Sequence, residues 1–385
     1  VPLFLKKLGA PEAIAVSSTG MFSVLVAIPM LVTAALSRNI VNLKKALIYV
    51  HCLILIVSFF MGYIFCFSSI GESPNAWKTY LFFFLLYGLS VGIIVPFWAD
   101  FLDKATNESF RGKFFGLGFA FNSIGGFFGG ITLKYLLSSN IPFPKNFGYG
   151  FFILFFSLII GTVVFYFYKE KKRQHYKKSL LQFKQETNLI ISSHPNFHKY
   201  LISRVFYCAT LPAMGLYAIY CQNKFNFEIS EVGIFTILNV TAMGFFSYIS
   251  GNIGDKFGHK YSLVMAYALH LLAILLVLYS KNMLWVYCVF IAVGAGQGAF
   301  MPSAMNLIYD FAGERDKKTY MALIDSFLAP FALIFILGIG LLVNNGEYIL
   351  SLFIMGGCLF LAIIILYFFV KDPRHNTDQI IYSEK

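Results

Sequence analysis

Eleven stretches of this chain run for 19 or more residues without one Asp, Glu, Lys or Arg: 13–37, 46–71, 79–99, 114–133, 146–168, 205–223, 232–254, 261–280, 282–309, 326–346 and 348–370. A helix needs about 20 apolar residues to cross the hydrocarbon layer of a bilayer. In that layer every backbone N–H and C=O must find a partner within the protein, so only helices and closed barrels span it. Barrel strands alternate apolar and polar residues, whereas these runs are continuous. The chain therefore reads as an all-α integral membrane protein. Composition agrees: 58% of residues are hydrophobic and 12% charged, against about 45–50% and 25% in soluble domains. Soluble enzymes, disordered tails, fibrous repeats and small disulfide scaffolds are excluded.

Charge orients the spans. Assigning alternate loops to two sides puts 37–45, 100–113, 169–199, 254–260, 310–318 and the tail from Lys371 together, and this side holds 22 of the 30 Lys and Arg. The other side holds 7, and Arg204 is assigned to the inside of a span. Lys and Arg concentrate on cytoplasmic loops, so the C-terminus is expected in the cytoplasm and residue 1 outside. The net charge of +12 is thus an orientation signal spread over loops, and nucleic acid is not an expected partner. Residues 1–5 are apolar and meet Lys6 and Lys7, like the last turn of a helix. The expectation is twelve spans, eleven of them whole, and they are numbered on that basis.

The two sides of 169–199 repeat one another. Span 4 carries Gly88, Gly92 and Pro96; span 10 carries Gly294, Gly298 and Pro302. Both read GxxxGxxxP at an offset of 206, which also relates Glu108 to Glu314 and Arg111 to Lys317. Near the start the offset is 216, matching 35–44 with 251–260. Repeats in the same orientation build the parallel-repeat transporter architecture. The expected domains are a first helix bundle at 1–168 (the end of span 1 and spans 2–6), a basic cytoplasmic linker at 169–199, a second bundle at 200–370 and a cytoplasmic tail at 371–385.

The loop after span 8 reads Gly251-Asn252-Ile253-Gly254-Asp255-Lys256-Phe257-Gly258-His259-Lys260. It resembles the GxLaDrxGrk signature of the major facilitator superfamily, and Val370-Lys371-Asp372-Pro373-Arg374 is also similar to that superfamily at the end of span 12. The resemblance implies two six-helix bundles related by a parallel pseudo-two-fold. It further implies that Asp255 braces the start of span 5, where Arg111 and Gly112 stand, with Gly251, Lys256, Gly258 and Lys260 shaping the turn. A carboxylate at a helix N-terminus meets free N–H groups and a positive dipole end. The first-half copy has Ala35 for the first Gly and Asn39 for the Asp, so the two copies are expected to differ in strength. The run from Asn122 to Gly130 is similar to the GxxxGPxxGG pattern of the superfamily's antiporters, with Phe121 and Gly126 departing from it.

By the same resemblance, spans 1, 4, 7 and 10 line a central cavity. The substrate-binding candidates are Tyr87, Ser90 and Trp98 in span 4, Tyr207 and Tyr217 in span 7 around a kink expected at Pro212, and Gln297, Met301 and Asn306 in span 10. Gln297 lies among Gly294, Gly296 and Gly298, which either loosen the helix toward a ligand or pack closely against another helix. Charge inside the membrane is costly, which makes Arg204 and Asp325 the coupling or gating candidates. His51 and His270 lie in spans 3 and 9, expected to face lipid or the outer bundle, and read as packed side chains. The six cysteines form no CxxC and no metal or disulfide framework; no metal and no cofactor are expected. There is no P-loop pattern, so the chain is not expected to act as an enzyme.

The function expected is secondary transport of a small solute by alternating access, coupled to protons. The alternatives are an exporter by proton antiport and a non-transporting sensor of the same fold. The expected partners are a small-molecule substrate, protons and the lipid bilayer, for a monomer passing repeatedly through a bacterial inner (plasma) membrane.

Overall fold

A computed structural model of the chain describes residues 1–105, 111–168, 195–313 and 317–373, and six isolated positions between 179 and 188. Most of the expected linker, the tail beyond residue 373 and the side chains of Arg111 and Gly112 lie outside the described residues. Helix α1 (Pro2–Lys7) is short. It leads into α2 (Glu12–Ser37), α3 (Leu43–Phe67), α4 (Ala76–Ala105), α5 (Arg111–Ser138) and α6 (Lys145–Val164). The second half comprises α7 (Pro195–Phe225), α8 (Glu231–Phe257), α9 (His259–Leu278), α10 (Met283–Ala312), α11 (Lys317–Asn344) and α12 (Tyr348–Ile364). Among the described residues ten helices are long and apolar enough to cross a membrane. The eleventh apolar stretch, 114–133, falls within the unbroken α5.

Helices outrun the charge-free stretches at their ends. Helix α11 begins at Lys317, eight residues before Asp325, and α7 begins at Pro195, nine before Arg204. A charged first turn still forms helix when it reaches water, so the first charge does not mark the helix start. At 1.5 Å per residue, Asp325 and Arg204 stand about 12 and 14 Å along their helices. The kink expected at Pro212 appears as a 3-10 turn at Cys208–Thr210 that divides α7. Asn42 and Asn282 cap α3 and α10 by accepting from the N–H groups of Lys45 and Trp285. The stretch 46–71 ends as helix at Phe67 and continues as a 3-10 turn, Ser69–Glu72.

The repeated GxxxGxxxP has a packing cause. A Cβ at Gly92 would collide with the Val26 carbonyl of α2, and a Cβ at Gly298 with the Met243 carbonyl of α8. Lipid supplies no hydrophobic drive between helices, so membrane helices associate through small residues that let backbones approach. Helix α4 thus lies on α2 as α10 lies on α8. Helix α10 is continuous from Met283 to Ala312, and Gly294, Gly296 and Gly298 are all buried. These glycines do not loosen the helix; they bring it close to its neighbours. The halves meet along two seams, α2 with α11 and α5 with α8.

Overpacking a tight contact costs about 1–3 kcal/mol. Gly298→Leu should therefore lower the melting temperature of the purified protein by several degrees. Gly357→Ala on α12, where a Cβ meets nothing within 4 Å, should leave it unchanged. Equal melting temperatures for the two variants would show that the α8–α10 contact is not tight.

Candidate functional site

A cavity of about 480 Å³ lies between the halves, within the range of small-molecule sites. Helix α2 contributes Ser18, Thr19, Phe22 and Ser23; α4 contributes Tyr87; α7 contributes Tyr207, Thr210 and Met214; α10 contributes Gln297. Tyr80, Phe84 and Phe151 make an aromatic floor on the first-half side. Among the described residues lining it there is no Asp, Glu, Lys or Arg.

Three hydroxyls of this wall share a polarity. Ser18 Oγ donates to the Ala15 carbonyl at 2.7 Å, Thr19 Oγ1 to Val16 at 3.2 Å and Thr210 Oγ1 to Tyr207 at 2.8 Å. Each proton is committed to its own helix. A hydroxyl oxygen keeps lone pairs after donating, so the wall offers acceptors. Gln297 adds an amide that can both donate and accept.

Three of the eight binding candidates meet here: Tyr87, Tyr207 and Gln297. The other five stand elsewhere. Ser90 is buried and donates to Leu86 at 2.8 Å. Tyr217 is buried in the packed interior. Trp98 donates to His51 at 3.2 Å beside a second cavity of about 1040 Å³, which Met305 also lines. Met301 is half exposed and Asn306 partly so. The serines and threonine of α2 were not singled out from sequence, although Ser17-Ser18-Thr19 is a polar triplet in an apolar helix. His270 was expected to face away; it reaches the cavity wall.

Arg204 and Asp325 lie within electrostatic range of one another. Arg204 is buried, donates to the Tyr200 hydroxyl at 2.9 Å and lies 4.9 Å from the centre of the Phe300 ring. Asp325, on α11, is near enough for its charge to act on Arg204.

At the end of the molecule carrying the basic loops, the turn at 251–260 divides its contacts. Asp255 is exposed, with His259 Nε2 at 3.9 Å, and Lys256 is exposed beside it. Gly258 ends α8 with φ +110°, and a Cβ there would strike the Asp372 carboxylate. Lys260 is buried, feels the charge of Asp372 and lies over the Tyr367 ring. Gly258 and Lys260 therefore seat the end of α12, within the second half. A Cβ at Gly251 would meet nothing within 4 Å.

At the opposite end the halves are tied directly. Lys6 lies 3.0 Å from Glu12 and bonds Asn223. Asn223 donates to the Tyr348 hydroxyl at 3.0 Å, and that hydroxyl donates to Glu12. The cluster joins α1 and α2 to the ends of α7 and α12. Just inside it, Ser17 Oγ donates to the Ile336 carbonyl at 3.3 Å.

Residues 200–383 match the family model of the Major Facilitator Superfamily. No curated protein matches the sequence. Among solved structures, the D-xylose–proton symporter matches with a TM-score of 0.70 at 13% identity, covering 97% of this chain and 92% of that one. The human organic anion transporter MFSD10 matches at 0.64 and 14%, covering 94% and 88%. A Major Facilitator Superfamily transporter, FucP, in the outward conformation matches at 0.64 and 11%, covering 95% and 94%. These are transporters and not enzymes. At such identities the likeness establishes the fold.

Tyr348→Phe removes one hydroxyl from both Glu12 and Asn223. It should raise the rate at which a water-soluble thiol reagent, added from that end, labels a Thr19→Cys variant in the cavity. An unchanged rate would show that the cluster does not hold that end shut.

Proposed function

We propose that this chain, a major facilitator superfamily protein by the sequence of its second half and the fold of the whole, carries a small uncharged solute bearing several hydrogen-bond donors, by alternating access and with proton coupling. The carrying observation is the cavity wall, an array of acceptor oxygens and aromatic faces without a charged side chain among its described residues. A charged solute in such a wall would lose its hydration without gaining a counter-charge. A polyol or sugar exchanges water for acceptors and stacks its C–H faces on rings. Two of the matching structures are proton symporters of sugars, D-xylose and fucose, which favours the same class.

The basic loops face the cytoplasm of a plasma membrane in this reading, which puts the Lys6–Glu12–Asn223–Tyr348 cluster outside. With that end held and the cavity at the seam, the halves would rock about the α2–α11 and α5–α8 contacts. Asp255, acting on the start of α5, is the proposed brace of the cytoplasmic end in the opposite state. Arg204 and Asp325 are the proposed coupling pair. A carboxylate held near a buried guanidinium changes the field around it when it gains or loses a proton. An organic anion, the cargo of the human transporter that matches, suits the site less well, because no cationic side chain stands among its described lining residues.

The test is transport by the chain reconstituted into liposomes that hold a pH-sensitive dye, with radiolabelled D-xylose, L-fucose, D-glucose, myo-inositol, glycerol and benzoate. Uptake of one neutral polyol with proton movement in the same direction is expected. Proton movement against the solute would mean antiport. Transport of benzoate alone would overturn the neutral class, and no transport of any compound would favour the sensor. Gln297→Ala should raise KM roughly fivefold to tenfold, the effect of about 1–1.5 kcal/mol of hydrogen bonding, with little change in maximal rate. Asp325→Asn should leave solute exchange intact and abolish solute-driven proton movement; intact proton movement would remove Asp325 from coupling. Asp255→Asn should slow labelling of the Thr19→Cys variant from the outside, because the state braced at the cytoplasmic end is lost. An unchanged rate would remove Asp255 from gating.

A further inference from the structure

Helix α9 packs chiefly against α10 and also against α8 and α12, forming neither seam between the halves, yet one of its side chains reaches the cavity. The passage is Gly296. A Cβ at that position would stand 2.8 Å from His270 Cδ2 and 2.9 Å from Nε2. Any side chain there would take the place of the imidazole. With none, His270 lies in a notch across α10, and its Nε2 stands 3.1 Å from the Tyr207 hydroxyl.

Tyr207 is itself clamped. Its ring stacks on Tyr267, at 4.5 Å and 12°, and on Phe300, at 4.6 Å and 9°. The stack fixes the plane of the phenol and the imidazole fixes its oxygen. Both residues line the cavity. We infer that His270 belongs to the solute site: it enters through the Gly296 notch and positions the Tyr207 hydroxyl as a hydrogen-bonding group aimed at the solute. The assignment rests on the transporter reading above.

The chemistry follows from the neutral imidazole, which donates at one nitrogen and accepts at the other. With the proton on Nδ1, Nε2 accepts from the phenol, and the phenol oxygen turns its lone pairs to the cavity. Its polarity is then that of Ser18, Thr19 and Thr210. The complementary group on the solute is a hydroxyl or an amide N–H. A histidine merely filling space between α9 and α10 would need neither the notch nor the bond to Tyr207.

The test is chemical access and requires no transport, so it stands apart from the liposome assay. The full chain in proteoliposomes is treated with diethyl pyrocarbonate, which acylates accessible unprotonated imidazole nitrogens, and peptide mass spectrometry follows the histidines separately. In the parent protein Tyr207 guards Nε2. Tyr207→Phe should raise the rate at His270 about tenfold, the factor that a hydrogen bond of about 1.4 kcal/mol holds back. The rate at buried His259 should not move. In that background Gly296→Ala should return His270 to its slow rate by crowding the notch. So should a maleimide attached beforehand to Gln297→Cys, which blocks the cavity without touching the notch. A His270 rate in Tyr207→Phe no faster than in the parent would show a sealed, packed histidine and overturn the proposal. Undiminished acylation behind the blocked cavity would show a route from elsewhere and overturn it equally. If Gly296→Ala does not fold, the other two arms still decide. The positioning role has its own readout: His270→Gln, whose amide can still bond Tyr207, should keep the KM of the parent, and His270→Leu should raise it to about that of Tyr207→Phe.

Discussion

The middle of this molecule depends on two helix pairs coming closer than side chains allow. Gly92 rests on the Val26 carbonyl and Gly298 on the Met243 carbonyl. In a bilayer, where apolar side chains gain little by leaving lipid for one another, such backbone approach is the main available source of cohesion. The second consequence is positional. Because α4 is pressed onto α2 and α10 onto α8, the residues beside those glycines are fixed toward the gap between the halves. Tyr87 precedes Gly88, the first glycine of its repeat, and Gln297 precedes Gly298, the second glycine of the other, so the two stand about one helical turn apart in register. One polar cavity group thus stands on each side.

A second constraint sets where charge stands. Ionised groups avoid the apolar layer unless paired, and the described cavity wall has none. The ion pairs gather at the ends. Lys6 and Glu12 close one end across the halves, while Gly258 and Lys260 hold the end of α12 to the second half at the other. Each partner of the Lys6–Glu12 pair keeps about 30% of its side-chain surface. Partly exposed pairs contribute little each. In the proposed cycle a weak, solvated tie suits an end that opens, and a buried lysine suits an end that moves as one piece.

Much of this was legible in the sequence, and the boundary is physical. The spans are written in the spacing of charges, because lipid tolerates none along about 20 residues. The repeat is written in GxxxGxxxP, because close approach admits only small residues. The candidate list fared less evenly. Tyr87, Tyr207 and Gln297 converge, while Trp98 and Tyr217 do not. A helix shows the sequence its period but not which of its faces a neighbour covers. The hydroxyls of α2 escaped notice for the same reason. Their meaning lies in the carbonyls they already serve, and a Ser in an apolar helix reads the same whether it faces a ligand or a neighbour. At α7 and α11 the helices begin more than two turns before the charge-free stretches do, because charged first turns are helical where they reach water.

His270 shows most clearly why the residue alone is silent. From its helix, the imidazole should have been a packed side chain. Its reach is decided on another helix, by the missing Cβ of Gly296, and its partner stands on a third, at Tyr207. The three positions are far apart in sequence, and none signals the others. The glycine also explains itself only in this arrangement. Gly294 and Gly298 face α8, whereas Gly296 faces α9, so the three glycines of α10 serve two different neighbours. Four residues place Gly294 and Gly298 on one helix face, and two residues turn Gly296 about 200° from each. One side of α10 is pressed against a helix of the seam, and the other is notched to let an outer helix touch the cavity. A loosened helix could do neither, because both the contact and the notch need the rigid turn that relates them.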